Sequence, residues 1–328
     1  MRQRWRAGHS GSAMISTSEL FRLIRGPIAI AEPLGPYTGL RIGGTADYFI
    51  KPRDRDDLCR AHGYFRKHGF PFFILGRGSR LLVHESGFRG TVISTQFLDR
   101  VVIEGDAVEA DAGVPLPVLQ ERLSRLSLGG LDNFGHGAGT VGGALCRIDG
   151  TADGETPEYL EWVDVLRNGR IRRLRNGELH SRIGARNLGS DVVLGAGFRL
   201  RRISVKERHQ AKVSQVREEL KESGDSIGQP ALSGRVFRDP CPPEGSLPVS
   251  AGALLSACGI EGARRGGASF AAFDANRIVN DGMATSADVL DLVRLAKEAV
   301  QSRFGVDLEL ELVLVGNNMN GIHAPFNR

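Results

Sequence analysis

The periodicity of apolar residues divides the chain into alternating strand-like and helix-like stretches between about residues 47 and 315. Leu58, Ala61 and Phe65 recur at helical spacing and predict an amphipathic helix over 54–68. It links a strand at 47–50 to one at 72–75, a βαβ unit, and 91–94 reads as a further strand. Residues 101–103 and 107–110 predict a hairpin, followed by a helix over 116–126 with Pro117 in its first turn. A second hairpin joins 160–166 to 171–174, because Asn168-Gly169 favours a type I′ turn. Residues 191–200 read as a strand, with Gly195 and Gly197 where another group comes close. A charged helix over 205–221 and a loop over 222–230 mark the best domain boundary. Beyond it lie an apolar helix around 249–258, strands at 268–270 and 277–279, and a final alternating strand over 308–315. The longest helix is Ser286 to Phe304, with Thr285 or Ser286 as N-cap and Gly305 as stop.

Composition narrows the class. With 41% hydrophobic and 25% charged residues the chain is an ordinary globular protein, and its length suits two or three domains. The net charge of +5 comes from scattered arginines with almost no interleaved aromatics. That suits an anionic small molecule better than a nucleic acid, which needs a basic stripe with stacking platforms. Four cysteines stand far apart without metal spacing, as in a reduced cytoplasmic protein, and the eight histidines never pair as ligands, so no metal is expected. No apolar run reaches the ~20 residues of a membrane span. Residues 1–18 are basic and rich in glycine and serine, which predicts a flexible extension rather than a signal peptide.

Two glycine-rich segments carry the candidate chemistry. Ile74–Leu82 runs from a buried strand into Gly76-Arg77-Gly78-Ser79, a turn whose backbone N–H groups can cradle an anion. Residues 135–144 hold five glycines in ten, an entropic cost that packing alone hardly explains. Together they suit a dinucleotide held from two sides. Neither is followed by the acidic residue of a Rossmann fingerprint, which leaves a non-Rossmann flavin or nucleotide site.

Further blocks occur in a definite order. Tyr37–Ala46, Leu75–Leu82, Gly139–Ala144, Arg235–Pro240, Asn276–Asn280 and Leu308–Leu312 resemble the motifs N-T-F-x-I-G-G-P-A, L-G-x-G-S-N-L-L, G-T-V-G-G-A, S-V-F-K-N-P, N-x-I-V-N and L-E-P-E-V. By these motifs the chain resembles the UDP-N-acetylenolpyruvoylglucosamine reductase family in its compact form. The resemblance implies an α+β protein: a vanillyl-alcohol-oxidase-type FAD-binding fold of two subdomains (27–95 and 96–204) and a smaller C-terminal substrate domain (205–316). A flexible extension (1–26) and a polar tail (317–328) complete the expected layout. It implies non-covalent FAD, NADPH as hydride donor and a UDP-linked amino-sugar substrate in peptidoglycan precursor synthesis. A cytoplasmic monomer or weak oligomer with no nucleic-acid or membrane partner is expected.

The resemblance also assigns residues. Arg41, Ile42, Gly43, Gly76, Arg77, Gly78, Ser79, Arg80, Leu81, Gly139, Thr140, Gly142 and Gly143 fall in the cofactor motifs, and Arg238 and Asn276 in the substrate motifs. Arg186 and Glu311 match the arginine and glutamate that polarise the substrate carboxylate and stabilise the developing enolate. The serine that protonates the enol is replaced by Arg235, which holds its proton too tightly to donate at neutral pH. Ser233, two residues earlier and on the same face of a strand, is a possible substitute donor. Arg80 stands where the family has asparagine. These departures leave two alternatives: a divergent paralogue acting on another anionic substrate, or a binding protein without turnover.

Overall fold

The computed structural model describes residues 17–131, 134, 139–146, 159–175, 178, 191–204, 206–207, 231–240 and 249–316. The chain is folded from its first described residues. Helix α1 (Thr17–Leu23) buries Leu20, and Ile24 one turn later joins the same apolar cluster as Leu58 and Phe65. Residues 17–24, expected within a flexible extension, are instead packed, because an i, i+4 apolar pair anchors them.

Strand β1 (Ile28–Pro33) leads to β2 (Thr45–Ile50), α2 (Arg55–Lys67), β3 (Phe72–Leu75), β4 (Leu81–Val83) and β5 (Phe88–Ser94). The first sheet has the order β1-β2-β5-β3, with β2 and β3 both parallel to β5. Asp54 caps α2 by accepting a hydrogen bond from the Asp57 N–H at 2.9 Å.

The next stretch contributes β6 (Val101–Glu104), β7 (Ala107–Asp111), α3 (Leu116–Arg125), β8 (Leu128–Gly129), α4 (Val141–Leu145), β9 (Leu160–Arg167), β10 (Arg170–Arg175), β11 (Val192–Arg199) and β12 (Arg201–Arg202). Five of these strands form an antiparallel sheet of order β10-β9-β11-β7-β6. Its β9–β10 turn has φ of +50° at Asn168 and +73° at Gly169, the two left-handed residues of a type I′ turn. On β11, a Cβ at Gly197 would run into the Trp162 indole, the close approach the sequence predicts.

The last stretch holds β13 (Ala231–Leu232), α5 (Ala251–Ala257), β14 (Arg264–Arg265), β15 (Ala268–Ala271), β16 (Asp274–Asn280), α6 (Ser286–Phe304) and β17 (Val313–Val315). The sheet β13-β16-β15-β14 shares an apolar core with α5 and α6. Thr285 and Asp288 form a reciprocal capping box at the start of α6, and Gly305 ends it at φ +69°.

The continuous strand expected over 308–315 shrinks to β17. The Glu311 and Leu312 N–H groups both point to the Val236 carbonyl, at 2.8 and 3.3 Å, so a regular ladder cannot form there. β17 instead pairs in parallel with β4 and brings the C-terminal segment beside the first glycine turn. The helix expected over 205–221 lies almost wholly outside the described residues, as do the loop over 222–230 and the tail over 317–328.

Candidate active site

The turn after β3 is the hub of the site. Gly78 has φ +62°, and a Cβ there would collide with the Tyr37 carbonyl; its own carbonyl accepts the Gly39 N–H at 3.2 Å. The backbone of 37–39 is thus clamped to the turn. Thr140, the N-cap of α4, packs against Gly76 and accepts the Gly143 N–H at 3.2 Å, so the two glycine segments meet. β3 and β5 run parallel, which places their carboxyl ends together. Thr95 donates its N–H to the Leu75 carbonyl at 2.9 Å, and Ser94–Gln96 joins the wall.

The C-terminal segment closes the opposite side. The Gly234 N–H reaches the Ser79 carbonyl at 2.7 Å and the Val313 N–H reaches the Arg80 carbonyl at 2.8 Å. Between these segments lies a cavity of about 440 Å³. Among the described residues its charged wall members are Arg77, Arg80, Arg235 and Arg277, all cationic. Backbone and small polar groups on one side and guanidinium groups around the rest suit a long ligand with several negative charges. The cavity, glycine turn and donors therefore suit part of a long anionic ligand such as a dinucleotide.

Comparison with known proteins agrees. Residues 46–175 match the profile of an FAD-binding domain, and 227–315 match that of the UDP-N-acetylenolpyruvoylglucosamine reductase C-terminal domain. A UDP-N-acetylenolpyruvoylglucosamine reductase of Chloroherpeton thalassium is 39% identical over 92% of this chain and 98% of its own length. One from Moorella thermoacetica is 36% identical over 88% of this chain and 93% of its own. The chain belongs to the UDP-N-acetylenolpyruvoylglucosamine reductase family. The crystal structure of the Thermus caldophilus reductase superposes with a TM-score of 0.65 at 27% identity, over 89% of this chain and all of the other. The fold is accordingly the FAD-binding α+β architecture with an added C-terminal domain.

Many of the expected family positions converge. Gly76, Arg77, Ser79, Arg80, Thr140, Ser233 and Arg235 all line the cavity. Gly78 supplies the turn backbone, Gly139 and Gly142 hold their segment through backbone bonds to Leu116 and Ala112, and the Gly143 carbonyl accepts from Arg80 at 3.2 Å. Leu81 is a buried strand residue. Glu311, with a side chain only 10% exposed, lies behind Arg80 and accepts from its Nη1 at 3.3 Å. The Ser233 hydroxyl oxygen accepts the Ile278 N–H at 2.8 Å, and Arg235 pairs with Asp239 at 3.0 Å.

Three groups of expected residues lie off this cavity wall. Arg41, Ile42 and Gly43 are not on the cavity wall; Ile42 is buried in the C-terminal core and Arg41 is exposed at φ +53°. The wall is made by Pro36–Gly39 just before them, because Thr38 folds the turn by donating to the Gly35 and Ile42 carbonyls. Asn276 does not face the cavity either. Its amide exchanges two 2.8 Å hydrogen bonds with the Phe237 backbone, leaving it a strut between β16 and residue 237. Arg238 is likewise off the wall, its N–H tied to the Glu309 carbonyl at 2.9 Å. Arg186 lies outside the described residues.

The wall also contains residues that motif reading missed. The parallel pairing of β3 and β5 was the available signal for Ser94–Gln96, since ligands gather at the carboxyl ends of such strands. Arg277, its side chain 5% exposed and paired with Asp274 at 3.2 Å, had no such signal. Tyr37 lines the wall as a neutral phenol: burial and then its hydrogen bond to Glu32 push its pKa up to about 12.

Proposed function

We propose that this chain reduces UDP-N-acetylglucosamine enolpyruvate to UDP-N-acetylmuramate in peptidoglycan precursor synthesis, with bound FAD and NADPH as hydride donor. The observation that carries the reading is the cavity shared by the FAD-binding segments and the C-terminal domain, whose charged wall residues among the described ones are all cations. Bound FAD would supply the hydride-transfer chemistry that links NADPH to the enolpyruvyl double bond. The protein's own residues bind, orient and move the proton. Arg235 and Arg277 are suited to hold the substrate's negative groups, a role arginine performs through paired N–H donors.

The proton needs another source than Arg235, whose guanidinium stays charged. Ser233 fits this role. Its oxygen accepts the Ile278 N–H, which polarises the hydroxyl and leaves the O–H to donate into the cavity it lines. The substrate carbon left electron-rich after hydride arrival takes that proton, and solvent returns one to the serine. Among the described residues no helix is long and apolar enough to cross a membrane, and a nucleotide-sugar substrate fits a cytoplasmic enzyme.

The test is purification followed by a visible spectrum, then NADPH oxidation with and without UDP-N-acetylglucosamine enolpyruvate. The expected protein is yellow, releases FAD on heating, and oxidises NADPH quickly only with the enolpyruvyl substrate. Ser233→Ala should slow substrate-driven flavin reoxidation by about 10²-fold or more. Arg235→Ser should weaken substrate binding by about 1.5–3 kcal/mol, the worth of a hydrogen bond to a charged group. Faster turnover in Arg235→Ser would show instead that the arginine obstructs a serine donor's place.

A further inference from the structure

We propose that Glu85 is a positioning residue for the substrate half of the reaction. Its carboxylate latches the C-terminal domain, through Ser286, onto the FAD-binding side, and so holds Ser233 and Arg277 in place against the glycine turn. The inference deepens the function proposed above, and its positioning role rests on that function.

Both carboxylate oxygens are used. Glu85 Oε1 accepts the Ser286 N–H at 2.5 Å, and Oε2 accepts the Ser286 hydroxyl at 2.6 Å. Ser286 is the first residue of α6, where backbone N–H groups have no partner within the helix. Thr285 and Asp288 form the local capping box, and Glu85 reaches across 201 positions for a donor that the box leaves over. A carboxylate there also meets the positive end of a 19-residue helix. Ser286 is 1% exposed while the Glu85 side chain is about half exposed, so the carboxylate covers the serine from solvent.

The β4–β5 loop that carries Glu85 is held on several sides. The His84 carbonyl accepts the Gly44 and Gly87 N–H groups at 3.1 and 2.9 Å, and the His84 N–H reaches the Val315 carbonyl at 2.8 Å. A Cβ at Gly44 would come within 2.1 Å of the Glu85 carbonyl oxygen, and one at Gly43 within 2.7 Å of the Val83 side chain. The glycine pair that lies off the cavity wall thus seats this loop.

A second tie grips the same turn. The Asn280 amide donates to the Leu40 carbonyl at 2.7 Å, and its oxygen accepts the Gly282 and Ala284 N–H groups at 2.8 and 2.9 Å. Asn280 ends β16 and pairs with Ala231 of β13. Arg277 lies on β16, and Ser233 directly follows β13, its N–H bonded to the Ile278 carbonyl at 2.8 Å. Leu40 directly follows the 36–39 wall segment. Residues 280–286 are therefore a short link between the FAD-binding side and the two strands that bring Ser233 and Arg277 to the cavity.

Two measurements on the FAD-loaded protein test this. Hydrogen–deuterium exchange over residues 281–289 should be roughly tenfold faster or more in Glu85→Ala, the scale of a lost hydrogen bond to a charged group, while residues 76–80 exchange as in the wild type. In stopped flow, the same variant should need roughly tenfold more enolpyruvyl substrate for half-maximal flavin reoxidation, with its limiting rate changed less and its FAD content unchanged. Adding Ser286→Ala should alter neither reading further, since both substitutions remove one contact. Glu85→Gln, which keeps an acceptor for the Ser286 N–H, should recover part of both, and it takes over both measurements should Glu85→Ala not fold. Wild-type exchange in Glu85→Ala would overturn the latch, and a wild-type substrate requirement would overturn the positioning role. Losses that multiply in the double variant, or loss of FAD from Glu85→Ala, would overturn it as well. If reduced wild-type protein is not reoxidised by the enolpyruvyl substrate at all, the proposed function is wrong and the positioning role falls with it, while the exchange result still decides the latch.

Discussion

The two walls of the cavity are built on different principles. The FAD-binding side is mostly backbone: the Gly76–Arg80 turn, the 37–39 segment clamped to it, and Thr140 seated against Gly76. The C-terminal side is mostly side chain: Ser233, Arg235 and Arg277, with Glu311 paired to Arg80. Backbone can be approached closely only where particular residues permit it, so the first wall is conspicuous in sequence as glycine. The second wall is conspicuous nowhere, because an arginine reaching a cavity looks like an arginine reaching solvent. On the function proposed above, the first wall holds the cofactor and the second meets the substrate.

The comparison breaks most visibly at Glu311. Glu311→Gln should slow substrate-driven reoxidation by roughly 10²–10⁴ while leaving reduction by NADPH intact, the range for losing a positioned charge. Equal slowing of both half-reactions, measured by stopped-flow absorbance, would erase the distinction between the walls.

Acid should attack the backbone-built side. His62 on α2 is fully buried edge-on to Phe72 of β3, with ring centroids 5.3 Å apart, and neither nitrogen has a partner among the described residues. Burial first and then the nearby Arg66 bring its pKa down to about 4. The unfolded chain, with histidine near its ordinary value of about 6.5, therefore binds more protons than the folded one between those limits, and stability falls as pH drops through that window. The loss should approach about 3 kcal/mol by its lower end. Denaturant unfolding across pH should show it, and His62→Leu should flatten the slope over this range.

Gly78→Ala should cost at least about 1–2 kcal/mol from its left-handed backbone alone, and more if the Tyr37 carbonyl must move. It should weaken FAD retention, readable by spectrum after gel filtration. Smallest is Thr285→Ala, which removes one half of the α6 capping box and touches no residue of the cavity wall. It should cost about 1 kcal/mol in thermal or denaturant unfolding and leave FAD content unchanged.

These contrasts also explain what the sequence made legible. α6 was readable at both ends because Thr285, Asp288 and Gly305 act locally. The β9–β10 turn was readable for the same reason, through Asn168 and Gly169. The strand over 308–315 failed because its alternation is real but its hydrogen bonds are not local: two N–H groups converge on Val236, more than seventy positions away. Asn276 is off the wall for a related reason. Its place in a motif was right, yet the Phe237 backbone consumes both ends of its amide, and the neighbouring Arg277 reaches the cavity instead. Helix α1 escaped notice because its seven residues offer a single buried leucine and only tertiary packing with Leu58 and Phe65 shows its worth. The Arg80–Glu311 pair spans 231 positions and could not be read from spacing.

The most direct test of the account is a single stopped-flow experiment. FAD-loaded protein is reduced anaerobically with one equivalent of NADPH and mixed with UDP-N-acetylglucosamine enolpyruvate. Rapid return of the oxidised-flavin absorbance, with UDP-N-acetylmuramate as product, is the expected result. A flavin that stays reduced in the presence of this substrate, in protein that holds FAD fully, would contradict it.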